Sequence, residues 1–386
     1  MTENQILFSL LRTQLCGVPV DDETLQSLCP EVLEAVCKLA DAHDLGHMVG
    51  QALSGCRQVP DVPAVAVAKQ RAMQAVFRYV NQSHDLAVIC KTLEEACIPH
   101  IPLKGSVLRE YYPEPWFRTS GDLDVLVQRE DLEKASQTLQ DVLGYRYRAL
   151  TNHDIALTTA NRNLLELHYD LTEDLTSSAQ RDVMAKVWEE SFPQEGKTYC
   201  RQMPDALFYF YHIAHMAKHF IYGGCGIRPL MDLWIMNRKM PLDRERCDAL
   251  LREGKLDTFS QRAEQLSQVW FSGEKADSLS QQMEQYILSG GVYGTVENRV
   301  TMSQVKSGGK LKYVFSRIFL TYDQLQYYYP VLQKHKWLYP VYQVVRWFEL
   351  LFGKRKAHAK ESMRASTQLN DESLDNTAQF LNRMGL

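Results

Sequence analysis

No two cysteines in this 386-residue chain are spaced Cys-x-x-Cys, although nine are present. An odd, scattered set reads as neither a disulfide framework nor a spaced zinc motif, so the expectation is reduced, mostly buried thiols in a cytoplasmic protein. The opening "MTENQILFSLLRTQL" lacks the basic flank and long apolar core of a secretory signal. Long hydrophobic runs are missing too. The most apolar late stretch, "WLYPVYQVVRWFELLF", is interrupted by Pro340, Arg346 and Glu349 and reads as an amphipathic helix, so no transmembrane segment is expected. There is no excess of positive charge: 43 Lys and Arg against 47 Asp and Glu give a formal net charge of −4. General nucleic-acid binding rests on Lys and Arg neutralising phosphates, so nucleic acid is not an expected partner. Internal repeats and low-complexity tracts are also lacking.

What is present is enough apolar material, 45% of residues, for a sizeable core. Residues 1–95 show apolar positions at helical spacing, as in "PEVLEAVCKLADAHDL". The pattern changes at His100. "IPHIPL" reads as a strand, Lys104-Gly105-Ser106 as a turn, and "SVLREYY" as a short helix ended by "PEP". "LDVLV" and "YRYRAL" read as strands on either side of an amphipathic helix that Gly144 stops. "DIALTTANRNLLELHYDL" reads as a hairpin turning at "ANRN". Residues 201–353 are helical again, and 354–386 form a polar tail that closes with a short helix. The expected class is α+β, with a small mixed sheet in a core at 96–200, flanked by N-terminal and C-terminal helical regions.

Asp122 and Asp124 lie in the strand "DLDVLV". Alternation places both on one face and Leu123, Val125 and Val127 on the other. Two carboxylates this close repel, and a partly dry strand end makes the repulsion worse. A divalent cation relieves it, and Mg²⁺ or Mn²⁺ suits carboxylate oxygens while leaving positions for substrate phosphates. The plain alternative is two solvated aspartates at a strand end. Three features favour the cation. Gly105-Ser106 sits between a strand and a helix, where a phosphate can approach the backbone and N–H groups point at it. Glu166 in "LLELHYD" shares a strand face with His168, and an acid inside an apolar strand needs a partner. Arg118 precedes the aspartates in a loop placed to fold over a phosphate, unless it is an ordinary surface arginine.

The order strand, Gly-Ser, helix, strand with Asp-x-Asp, then a carboxylate on a later strand resembles the DNA polymerase β-like nucleotidyltransferase superfamily. Within it, "LKGSVL", "RTSGDLDVLV" and "LELHYDL" resemble the bacterial uncharacterised nucleotidyltransferase family, as do "HIAHMAKHF", "IRPLMDLWIM" and "YYYPVLQKHKWLYPVYQVVRWF". The resemblance implies a metal-dependent nucleotidyltransferase that moves a nucleoside monophosphate from a nucleoside triphosphate to a hydroxyl and releases pyrophosphate. It implies Asp122, Asp124 and Glu166 as catalytic and metal-holding residues. The nucleotide-binding set is then Lys104, Gly105, Ser106, Arg118 and Lys218. His168, His215 and Asp232 are supporting candidates. The acceptor, a small molecule, peptide or protein, is not encoded in any motif.

His212, His215 and His219 share one helix face. They read as packed, hydrogen-bonded histidines or as metal ligands. Asp232 reads as a partner of Arg228 one helical turn earlier, or of a histidine. Two other functions stay open. One is transfer of a sugar from a nucleotide donor, which also uses Asp-x-Asp with a divalent ion. The other is a non-catalytic module that binds nucleotide or a partner.

Overall fold

Five helices precede the first strand: Glu3–Cys16, the short Asp22–Gln26, Pro30–Ala42, Gly46–Ser54 and the 33-residue Pro63–Glu95. In this computed structural model the described residues are 1–172, 176–292, 294–307, 310–329, 331–352 and 371–386. Pro30 and Pro63 each stand at the first turn of a helix, where a missing N–H costs nothing. The long helix buries Val65, Ala68, Ala72 and Ala75 in its first half. These small residues admit the Gly46–Ser54 helix at backbone contact. A Cβ on Gly50 would lie 2.1 Å from the Ala68 carbonyl oxygen, so only glycine fits there.

The strands are β1 (His100–Pro102), β2 (Asp122–Val127), β3 (Arg146–Leu150), β4 (Asp154–Thr158) and β5 (Leu164–His168), in spatial order β1-β2-β5-β4-β3. β2 and β5 are parallel, and every other pair in this sheet is antiparallel. The sheet is therefore mixed, and β4–β5 is the hairpin read from the sequence. Between β2 and β3 the Leu132–Leu143 helix ends at Gly144, whose φ of 67° is the left-handed conformation glycine adopts freely.

The two faces of the sheet enter different cores. Leu123, Val125 and Val127 of β2 and Leu165 and Leu167 of β5 pack with Ile89, Leu93, Ala135 and Leu139 on the flanking helices. Ile101, Leu103 and Leu126 face the larger core, which takes residues from both helical regions. In that core Phe8 of the first helix stacks on Trp270 of the Asp257–Ser272 helix, with ring centroids 4.4 Å apart.

The helices Asp205–Ile221, Arg228–Lys239, Asp257–Ser272, Lys310–Ile318 and Tyr339–Phe352 match helical segments read from the sequence. The closing helix Asp371–Met384 is longer than expected and buries Phe380, Leu381 and Met384 in the main core. Of the expected polar tail, residues 354–370 lie outside the described residues. All nine cysteines are free; Cys37, Cys200, Cys225 and Cys247 are buried, but Cys16, Cys29 and Cys97 are exposed, against the expectation of mostly buried thiols. Among the described residues no helix is long and apolar enough to cross a membrane.

Candidate active site

Parallel pairing of β2 with β5 places Asp124 directly opposite Glu166 and Leu126 opposite His168. Register partners in a parallel pair share a face. Asp122, Asp124, Glu166 and His168 thus line one side of the sheet, with Leu123, Val125, Val127, Leu165 and Leu167 behind them. His168 Nε2 lies 2.8 Å from Asp124 Oδ1 and 3.5 Å from Glu166 Oε2. The ligand atoms of Asp124, Glu166 and His168 are all within 4.8 Å of one another. At this spacing the two carboxylates can hold a divalent cation of the harder kind, with the imidazole as their hydrogen-bond partner. Asp122 shares the face two residues earlier but is not part of this closest group.

Lys104 enters from the end of β1. The Leu103 N–H donates to the Asp124 carbonyl at 3.0 Å, which sets the next residue beside the Asp124 side chain. Lys104 Nζ then reaches the same Oδ1 that His168 holds, at 2.7 Å. Its backbone has φ 47° and ψ −122°, a region side chains avoid, at a cost of about 1–3 kcal/mol. The ion pair and the two helical N–H groups that donate to its carbonyl, from Val107 and Leu108, hold it there.

The charges follow from this crowding. Burial and the neighbouring Asp124 push the Asp122 carboxyl up to about 6. Burial opposes ionisation of Asp124, but Lys104 and His168 outweigh it and hold its carboxyl well below the usual range. Burial likewise disfavours the His168 imidazolium, yet its hydrogen bonds to Asp124 and Glu166 raise it to about 9. Asp124 is therefore ionised between two cations, while Lys104 and Arg118 offset only part of the burial and repulsion that Asp122 meets.

The Gly-Ser turn is built differently from the sequence expectation. The helix it opens, Gly105–Leu108, has only four residues before a 3-10 turn. The Ser106 N–H donates to Leu103, and the Val107 and Leu108 N–H groups donate to Lys104. The turn thus has fewer free N–H groups than a full helix start. The Ser106 hydroxyl makes no hydrogen bond among the described residues. Gly105 is buried, and a Cβ there would meet Arg118 Nη1 at 3.3 Å and Ser120 Cβ at 3.4 Å. Glycine lets the Arg118 loop close against the turn.

Arg118 is anchored from below. Its Nε donates to both oxygens of Asp232, at 2.8 and 3.0 Å, and Tyr112 donates to Asp232 Oδ1 at 2.6 Å. This corrects the expected Asp232–Arg228 pair. Arg228 instead donates to Asp44 of the N-terminal region, which also accepts from the Thr119 hydroxyl. Arg118 is consequently a largely covered, paired arginine beside Gly105, not a surface one.

Lys218, His215 and Tyr211 of the Asp205–Ile221 helix line a small cleft with Leu171, Thr176, Gln180 and Met184. Burial, then the charges of His219, Lys104 and Lys218, hold His215 well below the ordinary histidine range, so it is neutral. His215 and His219 meet through their Nε2 atoms at 3.1 Å, and His212 Nε2 donates to the Pro229 carbonyl at 2.9 Å. Among the described residues these histidines form no metal-binding group.

Several positioning residues carried no sequence signal. Gln82, inside the long helix, donates to the Ser120 carbonyl and accepts from buried Arg109, which in turn donates to the Gly105 carbonyl at 3.1 Å. Asp85, one turn later, accepts from Thr159, Asn161 and Asn163 at 2.5–2.8 Å. It pins the β4–β5 turn and so the register of Glu166. Both polar residues are buried within an otherwise amphipathic helix, and burial is invisible in that pattern.

A comparison with curated proteins gives no match, and one with solved structures gives none. The family described as "Uncharacterised nucleotidyltransferase" matches residues 31–272. That span is more than half of the chain and contains every site residue above, from Asp44 to Asp232. The chain belongs to the uncharacterised nucleotidyltransferase family.

Proposed function

We propose that this nucleotidyltransferase moves a nucleoside monophosphate from a nucleoside triphosphate to an acceptor hydroxyl, with release of pyrophosphate and dependence on Mg²⁺ or Mn²⁺. We place its core in the DNA polymerase β-like superfamily, in a bacterial branch of the family. The observation that carries the reading is the parallel β2–β5 register, which sets Glu166 opposite Asp124 beside the Lys104-Gly105-Ser106 turn. Asp122, Asp124 and Glu166, with His168 against them, would hold the ion. When bound, it would offset charge on the triphosphate and on the departing pyrophosphate.

The chain's own groups do the rest by position and charge, as phosphoryl-type transfer requires. Arg118 is held beside Gly105 by Asp232 and by the Thr119 carbonyl, and its remaining N–H groups would meet the phosphates. The Ser106 hydroxyl is available to donate to them. Lys218 would approach from the opposite wall across the His215 cleft. Glu166, the more open of the paired acids with its side chain 26% exposed, would take the proton from an acceptor hydroxyl.

Incubation with each triphosphate and Mg²⁺ or Mn²⁺ is expected to release pyrophosphate, and the combined Asp122→Asn and Asp124→Asn variant to release none. Consumption of sugar nucleotides but not triphosphates would replace this reading with sugar transfer. Mass spectrometry of a cell extract incubated with enzyme and labelled triphosphate would show the acceptor class as a labelled adduct. A second reading, a nucleotide-binding module with no transfer step, draws on one observation: Lys104 and His168 already neutralise Asp124. Nucleotide binding with no pyrophosphate from any triphosphate would favour it.

The raised Asp122 carboxyl gives a second expectation. A proton on Asp122 competes with a cation, so Mn²⁺ affinity should be level above pH 6 and fall about tenfold per pH unit below it. Calorimetry in buffers of different ionisation enthalpy should detect the released proton below pH 6. Asp122→Asn should abolish both the pH slope and the proton release. A flat affinity between pH 5 and 7 in the unaltered protein would remove Asp122 from the cation site.

A further inference from the structure

Cysteine spacing gives no zinc motif, yet the fold gathers Cys90, His100 and Cys200 with their ligand atoms all within 4.8 Å of one another. The three come from separate segments. Cys90 lies on the long helix, His100 opens β1, and Cys200 is bridged to His100 just before the short strand Arg201–Gln202. The cluster is apart from the acidic site: His100 pairs with Val127, at the opposite end of β2 from Asp122.

The backbones of these segments are tied together around the cluster. Glu94, one helical turn beyond Cys90, accepts the N–H groups of Thr198, Tyr199 and Cys200 at 2.7, 3.0 and 2.7 Å. The His100 N–H donates to the Tyr199 carbonyl at 3.0 Å. The imidazole is oriented as well. Its Nδ1 is 2.9 Å from the Ile98 carbonyl oxygen, which can only accept, so Nδ1 carries the proton and Nε2 presents a lone pair. His100 is fully buried, and Nε2 has no hydrogen-bond partner. The Cys200 thiol is close enough to feel the ring but makes no hydrogen bond of ordinary geometry with it. A buried acceptor without a partner costs about 1–3 kcal/mol, so this one calls for an occupant.

We propose that Cys90, His100 and Cys200 form a site for a thiophilic transition ion, Zn²⁺, that clamps the long helix and the Cys200 segment to β1. Two thiolates and an imidazole whose other nitrogen is bound to a carbonyl are a donor set that selects Zn²⁺ over Mg²⁺. Binding exchanges two thiol protons for the ion, and both protons pass to buffer. A fourth tetrahedral position remains for water on the half-buried Cys90 side. A Cys90–Cys200 disulfide would use both sulfurs and leave His100 Nε2 unpartnered, so the geometry favours the ion.

The test is a Co²⁺ titration of the reduced full chain. A thiolate-to-cobalt charge-transfer band with tetrahedral visible bands should saturate at one ion and disappear when Zn²⁺ is added. Cys200→Ser and Cys90→Ser should each weaken Zn²⁺ binding at least about 100-fold in competition with a chelator, since even outer partners of a ligand are worth 10–100-fold. The combined Asp122→Asn and Asp124→Asn variant should keep the band, because carboxylates give no thiolate transition. Absence of the band in the unaltered chain would overturn the proposal, as would its survival in Cys200→Ser. So would a Cys90–Cys200 disulfide in the purified protein with no metal uptake after reduction. The main readout is on the unaltered chain, so a poorly folding variant cannot obscure it.

Discussion

Replacing Asp124 with asparagine is expected to lower pyrophosphate release by at least about 10³-fold, the scale of losing a major charge-stabilising group in phosphoryl-type transfer. It should also destabilise the fold, which Glu166→Gln should not. Asp124 accepts from Lys104 and His168 on a single oxygen, and its side chain is 3% exposed. Asparagine leaves both cations in place without their anion. Breaking a buried pair in this way costs about 3–5 kcal/mol, and loss of the His168 proton would relieve part of it. Glu166 is more open, and its contact with His168 is a longer 3.5 Å, so glutamine there should cost under about 1 kcal/mol while activity falls as far. Denaturant midpoints and pyrophosphate release measured on the same preparations separate the two effects. Retained activity with lost stability in Asp124→Asn would make Asp124 a packing ion and remove the proposed transfer chemistry.

The same pair of cations gives the pH dependence a sign. His168 is raised from its ordinary value near 6.5 to about 9 in the folded protein. Its contribution to stability is therefore full below pH 6.5 and is lost as pH rises through about 9. In Asp124→Asn the anion that raises it is gone, so this alkaline loss should flatten.

The sequence made the sheet faces and the three acids legible because alternation and hydropathy are local. "LDVLV" and "LLELH" each declare an inner and an outer face, and glycine at 144 declares a helix end. The pairing of those strands is not local. Nothing within β2 or β5 says that they run parallel and adjacent, with partners such as Asp124 and Glu166 lying 42 residues apart, and the placement of Glu166 depends on that fact. The Gly-Ser turn was legible as a turn, but the number of its free N–H groups was not, because helix length there is limited by the 3-10 turn that follows. Asp232 shows the same limit. Helical spacing offered Arg228 as its partner, whereas the fold supplied Arg118 from 114 residues away and gave Arg228 to Asp44. Cys90, His100 and Cys200 have no motif spacing at all, since β1 and the Cys200 segment meet the long helix only in three dimensions.

Asp232 carries the second large expectation. Asp232→Asn should destabilise the protein by about 3–5 kcal/mol, because Arg118 is then a largely covered cation facing a second one, Arg228, with its bidentate acceptor gone. Tyr112→Phe removes only one hydrogen bond to the same carboxylate and should cost about 1.5–3 kcal/mol. The informative variant is the pair Arg118→Met with Asp232→Leu, which removes both charges and keeps the volume apolar. Replacing a buried ion pair by hydrophobic residues is often neutral, so its denaturant midpoint should return most of the way to that of the unaltered protein. Activity should not return with it. If Arg118 is held beside Gly105 to meet phosphates, the repaired variant remains slow, with the loss appearing in the KM for triphosphate as well as in kcat. Full recovery of both stability and activity would mean that the pair only braces the loop, and that the phosphates are met by Lys218 and Ser106 alone.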